Sequence, residues 1–146
     1  ILTIYVGNVI KKKVNIAVFI SGRGTNLRAL ILKSKKKSCN YKIAYVISNK
    51  KNATGLKIAK KNKILTKIIS QSFLKTEQKE LAKILINKDI KFICLAGFMK
   101  ILSSYFINFF KNKIINIHPS LLPKYKGLNT HQRALEAKEK FSGCTI

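Results

Sequence analysis

The chain has 146 residues, with 30 Lys and Arg against five Asp and Glu, a formal net charge of +25. That length suits one domain with a real core, and a hydrophobic content of 47% excludes a disordered basic tail. Any carboxylate dyad or carboxylate-rich Mg²⁺ or Ca²⁺ site would have to come from Asp89, Glu77, Glu80, Glu136 and Glu139, all but Asp89 on helix-like segments.

Residues 1–10 form a largely apolar stretch ending in Lys11-Lys12-Lys13. It is too short to span a bilayer, its basic residues follow the apolar part, and no cleavage-site pattern follows. We take 1–13 as an extra N-terminal segment ahead of a domain at 14–146, in a cytoplasmic protein with no membrane partner. A start at Ile rather than Met points to an upstream end that is missing or mis-assigned.

The domain alternates strand-like and helix-like runs. Residues 14–20 (VNIAVFI) are a continuous apolar strand, then comes Ser21-Gly22-Arg23-Gly24-Thr25-Asn26 and a helix over 26–36. A second strand covers 41–47, followed by Ser48-Asn49 and a helix over 54–61; a weaker third strand covers 64–69. Residues 75–87 have a helical apolar period, 90–96 make a fourth strand, 113–117 a fifth, and 129–140 reads as a helix. Continuous Ile/Val/Leu strands between amphipathic helices specify an open, mainly parallel twisted sheet with helices on both faces. In such sheets ligands gather at the carboxyl ends of the strands, and every unusual cluster in this chain falls there.

The charge itself is spread. Of the basic residues 27 are Lys, and only Arg23, Arg28 and Arg133 are Arg, whereas phosphate and base recognition favours the Arg fork on one face. Ile, Lys and Asn supply 61 residues, and AT-rich codons encode all three. We read the charge as codon bias giving a solvated surface, with no specific nucleic-acid partner. Three widely spaced cysteines, Cys39, Cys94 and Cys144, indicate neither a disulfide framework nor a zinc knuckle. Cys94 reads as a buried small hydrophobe, and no metal is expected.

Three clusters carry chemistry. In the first, glycines permit a sharp turn and the N–H groups at the following helix start can hold a phosphate. Leu27 stands where a dinucleotide fingerprint needs its third Gly, residues 45–50 hold no acid, and no Gly-Lys-Ser/Thr follows, so NAD and ATP loops are excluded. A plain turn capped by Thr25 or Asn26 is the competing reading. The second cluster is Leu95-Ala96-Gly97-Phe98-Met99-Lys100-Ile101-Leu102. There Gly97 allows close backbone approach, and Phe98 and Met99 either line a flat apolar pocket or belong to the core. In the third, Asn116 and His118 lie two apart on one strand and point to the same side, stiffened by Pro119 and Pro123. An amide that can hold an oxyanion beside an imidazole that titrates near neutrality suits attack on a carbonyl-like carbon. His131 has a weaker claim.

The segments VNIAVFISGRGTNLRAL, YVISNK, LAGFMKILS, NIHPSLLPKYKGLNTHQRALEA and GCTI, in that order, resemble the folate-dependent formyltransferases. The run from Leu128 to Leu135 favours the glycinamide ribonucleotide transformylases of purine synthesis over the methionyl-tRNA enzymes. The resemblance implies a Rossmann-like formyltransferase fold. It also implies transfer of a formyl group from the co-substrate 10-formyltetrahydrofolate to the amine of glycinamide ribonucleotide. By position, Gly24, Thr25 and Asn26 would hold the substrate phosphate, and Met99, Lys100, Ile101, Leu102 and Asn116 would border the folate. Asn116 would steady the oxyanion and His118 would manage protons. Such a donor is worth roughly 10²–10³ in rate.

Three departures from the family pattern are visible. Lys100 stands where Arg is usual, which keeps charge but loses the planar fork. An Arg expected near 72–76 has only Lys75 nearby. The family's Asp-x-Gly-Pro segment, which follows a strand beginning like Gly143-Cys144-Thr145-Ile146, is not among these residues. Its Asp tunes the catalytic His, and by analogy with serine hydrolases neutralising such a partner costs on the order of 10⁴ in rate. The domain is therefore expected to be C-terminally incomplete, with its last strands missing and the 146-residue chain inactive or nearly so. Two alternatives remain. A formyltetrahydrofolate hydrolase would form product without glycinamide ribonucleotide. A non-catalytic basic nucleic-acid binder or degenerate remnant would hold RNA above ~0.2 M salt, where purely electrostatic binding collapses.

Overall fold

The computed structural model describes residues 12–127 and 129–146. All but the last two positions of the predicted N-terminal segment lie outside the described residues. Five strands, β1 (Val14–Ile20), β2 (Tyr41–Ser48), β3 (Leu65–Ile68), β4 (Ile90–Leu95) and β5 (Ile114–Asn116), form one sheet in the order β3-β2-β1-β4-β5. All four pairings are parallel. The helices are α1 (Thr25–Ser34), α2 (Thr54–Lys61), α3 (Lys75–Asn87), α4 (Ser104–Phe109) and α5 (Thr130–Glu136).

The two faces of the sheet are covered by different helices. Ile16, Val18 and Ile20 of β1 pack with Leu27 and Ile31 of α1 and Leu56 of α2. Between them, Ala17 and Phe19 point the other way, onto Leu81 and Leu85 of α3 and Phe106 of α4. Both sides of β1 are therefore core, which explains its unbroken apolar run. Phe19, Ile20 and Val18 are fully buried, each worth about 1.5–3 kcal/mol over exposure, so β1 anchors the domain.

Strand order reverses beside β1. The chain runs outward from β1 through β2 to β3, then returns to place β4 on the other side of β1, and β5 beyond it. The switch point of the sheet therefore lies between β1 and β4, and in such sheets ligands gather at the carboxyl ends of these strands.

The structure departs from the sequence reading in several places. Helix α4 was not predicted. Six residues cannot show a sustained period, and its only local signal is Ser103, whose side chain accepts the Phe106 N–H at 3.2 Å as an N-cap. Strand β5 stops at Asn116 rather than at 117, because His118 leaves β4 and pairs elsewhere. The last helix spans only Thr130–Glu136 of the expected 129–140, with Lys138 already at a φ of 51°. Cys94 is half-buried rather than core, lining an apolar groove of about 420 Å³ with Ile16, Leu30, Tyr41, Phe92 and Ile115. Desolvation there pushes its thiol above the ordinary range.

Candidate active site

The turn between β1 and α1 is built on close backbone approach. Gly24 is the N-cap of α1, with φ 78°, and a Cβ placed on it would meet the Gly55 Cα at 2.6 Å. The N–H of Gly55 donates to the Gly22 carbonyl at 3.2 Å, so the start of α2 is bolted onto the turn. The reading of Thr25 or Asn26 as a cap is not what forms: Thr25 is the first helical residue, and no side chain caps α1. The first N–H groups of the helix are left without side-chain partners, and with the helix dipole such a start is suited to an anion. Thr25 and Asn26 are exposed beside them, while Gly24 is buried.

The loop leaving β4 is held against this turn. Ser21 N–H donates to the Gly97 carbonyl at 3.1 Å, and Met99 N–H donates to Ser21 Oγ at 2.8 Å. Phe98 does not line a pocket with Met99. It turns inward and meets Phe19 and Phe73 edge to face, with centroids 5.2 and 6.0 Å away, so only Met99 of that pair faces out. Met99 and Ile101 are 58% and 92% exposed, Lys100 and Leu102 half-buried. Two exposed apolar side chains at a strand exit offer a surface for a flat ring system.

Asn116 ends β5, paired with Leu95 and exposed. His118, two residues on, is half-buried and bridges antiparallel to Thr145: its N–H donates to the Thr145 carbonyl at 2.8 Å and its carbonyl accepts the Thr145 N–H at 2.9 Å. The His118 Nε2 lies 3.1 Å from the Tyr125 carbonyl oxygen. A carbonyl only accepts, so in this bond Nε2 carries the proton and donates it.

The loop behind His118 is tied down by groups that pattern reading missed. Thr145 Oγ1 donates to the Ser120 carbonyl at 2.8 Å and accepts from Leu122 N–H at 3.0 Å, while Ser120 Oγ donates to the Lys124 carbonyl at 2.7 Å. Locally, only Ser120, between the two prolines, hints at them. Glu139 accepts from Lys124 Nζ and Tyr125 OH, both at 2.8 Å. The Lys124 and Tyr125 hydrogen bonds hold its carboxyl below the usual carboxylate range.

Three other acids have partners of their own. Asp89 pairs with Lys91 at 2.6 Å ahead of β4, Glu77 accepts from the Ser70 N–H and hydroxyl, and Glu136 accepts from Gln132. Lys75 is exposed at the start of α3, and His131 is exposed on α5. Among the described residues no group of three His, Cys, Asp or Glu could hold a metal ion, and no helix is long and apolar enough to cross a membrane.

The anion-seat turn, the loop after β4 and the Asn-x-His strand end thus lie at the carboxyl ends of adjacent parallel strands, an arrangement suited to group transfer between two bound ligands. The formyl transferase family profile matches residues 14–146, and the chain belongs to that family. It is 45% identical over 134 residues to a phosphoribosylglycinamide formyltransferase of Haemophilus influenzae, covering 90% of this chain and 63% of that protein. It is 44% identical over 143 residues to the trifunctional purine biosynthetic protein adenosine-3 of Gallus gallus, covering 96% of this chain and 14% of that one. The crystal structure of a phosphoribosylglycinamide formyltransferase from Anaplasma phagocytophilum superposes with a TM-score of 0.85 at 42% identity, covering 92% of this chain and 63% of that one. The chain thus spans less than two thirds of the length of each of these relatives.

Proposed function

We propose that the chain carries the ligand-binding half of a glycinamide ribonucleotide transformylase, serving purine biosynthesis in the cytoplasm with small-molecule ligands and no specific nucleic-acid partner. The observation that carries this reading is the convergence of an uncapped helix start, an exposed apolar loop and an Asn-x-His strand end at one switch point, in a chain 45% identical to a phosphoribosylglycinamide formyltransferase.

In this reading Gly24, Thr25 and Asn26 hold the phosphate of glycinamide ribonucleotide through the free N–H groups of α1. Met99, Lys100, Ile101 and Leu102 border the folate, with the Met99 and Ile101 side chains against its ring. 10-Formyltetrahydrofolate supplies an electrophilic formyl carbon. Asn116 donates its amide N–H to the oxyanion that develops as the substrate amine adds to that carbon, worth roughly 10²–10³ in rate. His118 takes the amine proton at Nδ1 and returns it to the departing folate nitrogen.

The test is mass-spectrometric detection of formylglycinamide ribonucleotide from both substrates. Product formation that requires glycinamide ribonucleotide and falls in Asn116→Ala is expected. Tetrahydrofolate released equally fast without the amine would overturn the reading in favour of a hydrolase.

A further inference from the structure

We propose that Ser21 is a positioning residue that locks the folate-facing loop 97–102 onto the phosphate turn, with Asn49 accepting its hydroxyl proton but not needed for the lock. The inference rests on the functional reading above and adds a residue to which neither the resemblance nor the site geometry alone assigns a role.

Three strand exits meet at Ser21. The residue closes β1 and is 4% exposed; Asn49 follows β2 and is 3% exposed. Ser21 Oγ donates to Asn49 Oδ1 at 2.6 Å and accepts the Met99 N–H at 2.8 Å, while its own N–H reaches the Gly97 carbonyl at 3.1 Å. A serine hydroxyl has one proton. Because its oxygen faces a backbone donor at Met99, that proton must go to Asn49, whose carbonyl oxygen therefore faces the serine. The polarity of the relay is fixed from end to end: Met99 N–H to Ser21, Ser21 O–H to Asn49.

This relay has two consequences for the site. The Met99 N–H is turned inward and is not a donor to any ligand, which leaves the outer edge of the loop to its carbonyl groups and to residues 100–102. The relay also sets the spacing between the phosphate seat, which starts three residues after Ser21, and the folate border, which starts at Met99. A bimolecular transfer depends on that spacing, since reacting atoms must be held within near-attack distance. Phe98, wedged against Phe19 and Phe73, keeps the loop from sliding but makes no polar link to the turn.

Two variants separate this role from general support of the fold. Ser21→Ala removes both functions of the hydroxyl, leaving the part-buried Met99 donor and the buried Asn49 acceptor without this partner. Asn49→Ala removes a larger side chain yet leaves Met99 its acceptor. Loss of stability alone makes Asn49→Ala the more damaging change; positioning makes Ser21→Ala the more damaging one.

The experiment is residue-resolved amide hydrogen exchange on the free chain, with dissociation constants for 10-formyltetrahydrofolate and glycinamide ribonucleotide measured separately. In Ser21→Ala, Met99 exchange rises roughly tenfold or more relative to Leu85 in α3, the folate constant rises by a similar factor, and the glycinamide ribonucleotide constant changes less than about threefold. In Asn49→Ala the Met99 and folate values stay within about threefold. Met99 exchange in Ser21→Ala within threefold of the parent, or an Asn49→Ala effect that equals or exceeds it, overturns the proposal. If Ser21→Ala does not fold, loss of Met99 protection in folded Asn49→Ala overturns it by itself. A parent chain that binds neither ligand refutes the functional reading instead, and the exchange ordering then decides the role of Ser21 alone.

Discussion

Replacing Gly24 by Ala tests the geometry of the phosphate seat, and two other glycines calibrate the result. At φ 78° an L-residue costs about 1–2 kcal/mol. The new Cβ would also lie 2.6 Å from the Gly55 Cα, against a favourable carbon contact of about 3.5–4.0 Å. Backbone rather than a flexible side chain must move by about 1 Å, which adds roughly 1–3 kcal/mol. Gly97 has φ 74° but open space around its Cβ position, so Gly97→Ala carries the conformational cost alone. Gly22 has neither, with nothing within 4 Å, and Gly22→Ala is close to neutral. At about 2–4 °C per kcal/mol for a domain of this size, thermal melts followed by circular dichroism should fall by roughly 5–15 °C for Gly24→Ala and about 2–8 °C for Gly97→Ala. A Gly24→Ala melt no lower than that of Gly97→Ala would refute the close packing of α2 against the turn. The same displacement moves the α1 amides, so Gly24→Ala should also weaken glycinamide ribonucleotide binding, and Gly22→Ala should not.

Asn116→Ala should lower the chain's formyl-transfer rate by roughly 10²–10³ with little change in ligand affinity, and His118→Ala by roughly 10²–10⁴; single-turnover rates measure both. The Lys124 and Tyr125 hydrogen bonds lower the Glu139 carboxyl, so the contribution of this group to stability is present above the ordinary carboxylate value and lost as pH falls through the lowered one. Carbon-detected titration of Glu139 should give a midpoint below 4.5, rising toward that value in Lys124→Ala; an unshifted parent would contradict the cluster. Thr145→Val removes two hydrogen bonds to the loop behind His118, at about 1–2 kcal/mol in total. It should speed amide exchange at Leu122 without altering that of Leu81.

Much of this architecture could be read from residue order alone. Strand β1 announces itself because it is buried on both faces and cannot afford a polar residue between Ile16 and Ile20. Helices α2 and α3 form where their apolar periods place them. Helix α4 has no local signature, because a short helix depends on one cap and on Phe106 and Phe110 reaching the core, which is a tertiary fact. Strand β5 ends early for a similar reason: His118 pairs with Thr145, 27 residues away, and no local pattern records that. At the site, Gly24 and the Asn-x-His pair stood out because their chemistry is local. Ser21 and Asn49 did not, because their roles depend on partners 28 and 78 residues distant. Phe98 was ambiguous until the ring was seen against Phe19. The positive charge proved uninformative about the site, since the lysines are spread over the surface while the anion seat is built from backbone.

The most direct test of the account is amide shift mapping of the labelled chain with each ligand in turn. Glycinamide ribonucleotide should shift Gly24, Thr25 and Asn26, and 10-formyltetrahydrofolate should shift residues 100–102 with Asn116 and His118, in two adjoining patches at the carboxyl ends of β1, β4 and β5. Shifts confined to the lysine-rich helix surfaces, or none at millimolar ligand, would contradict it.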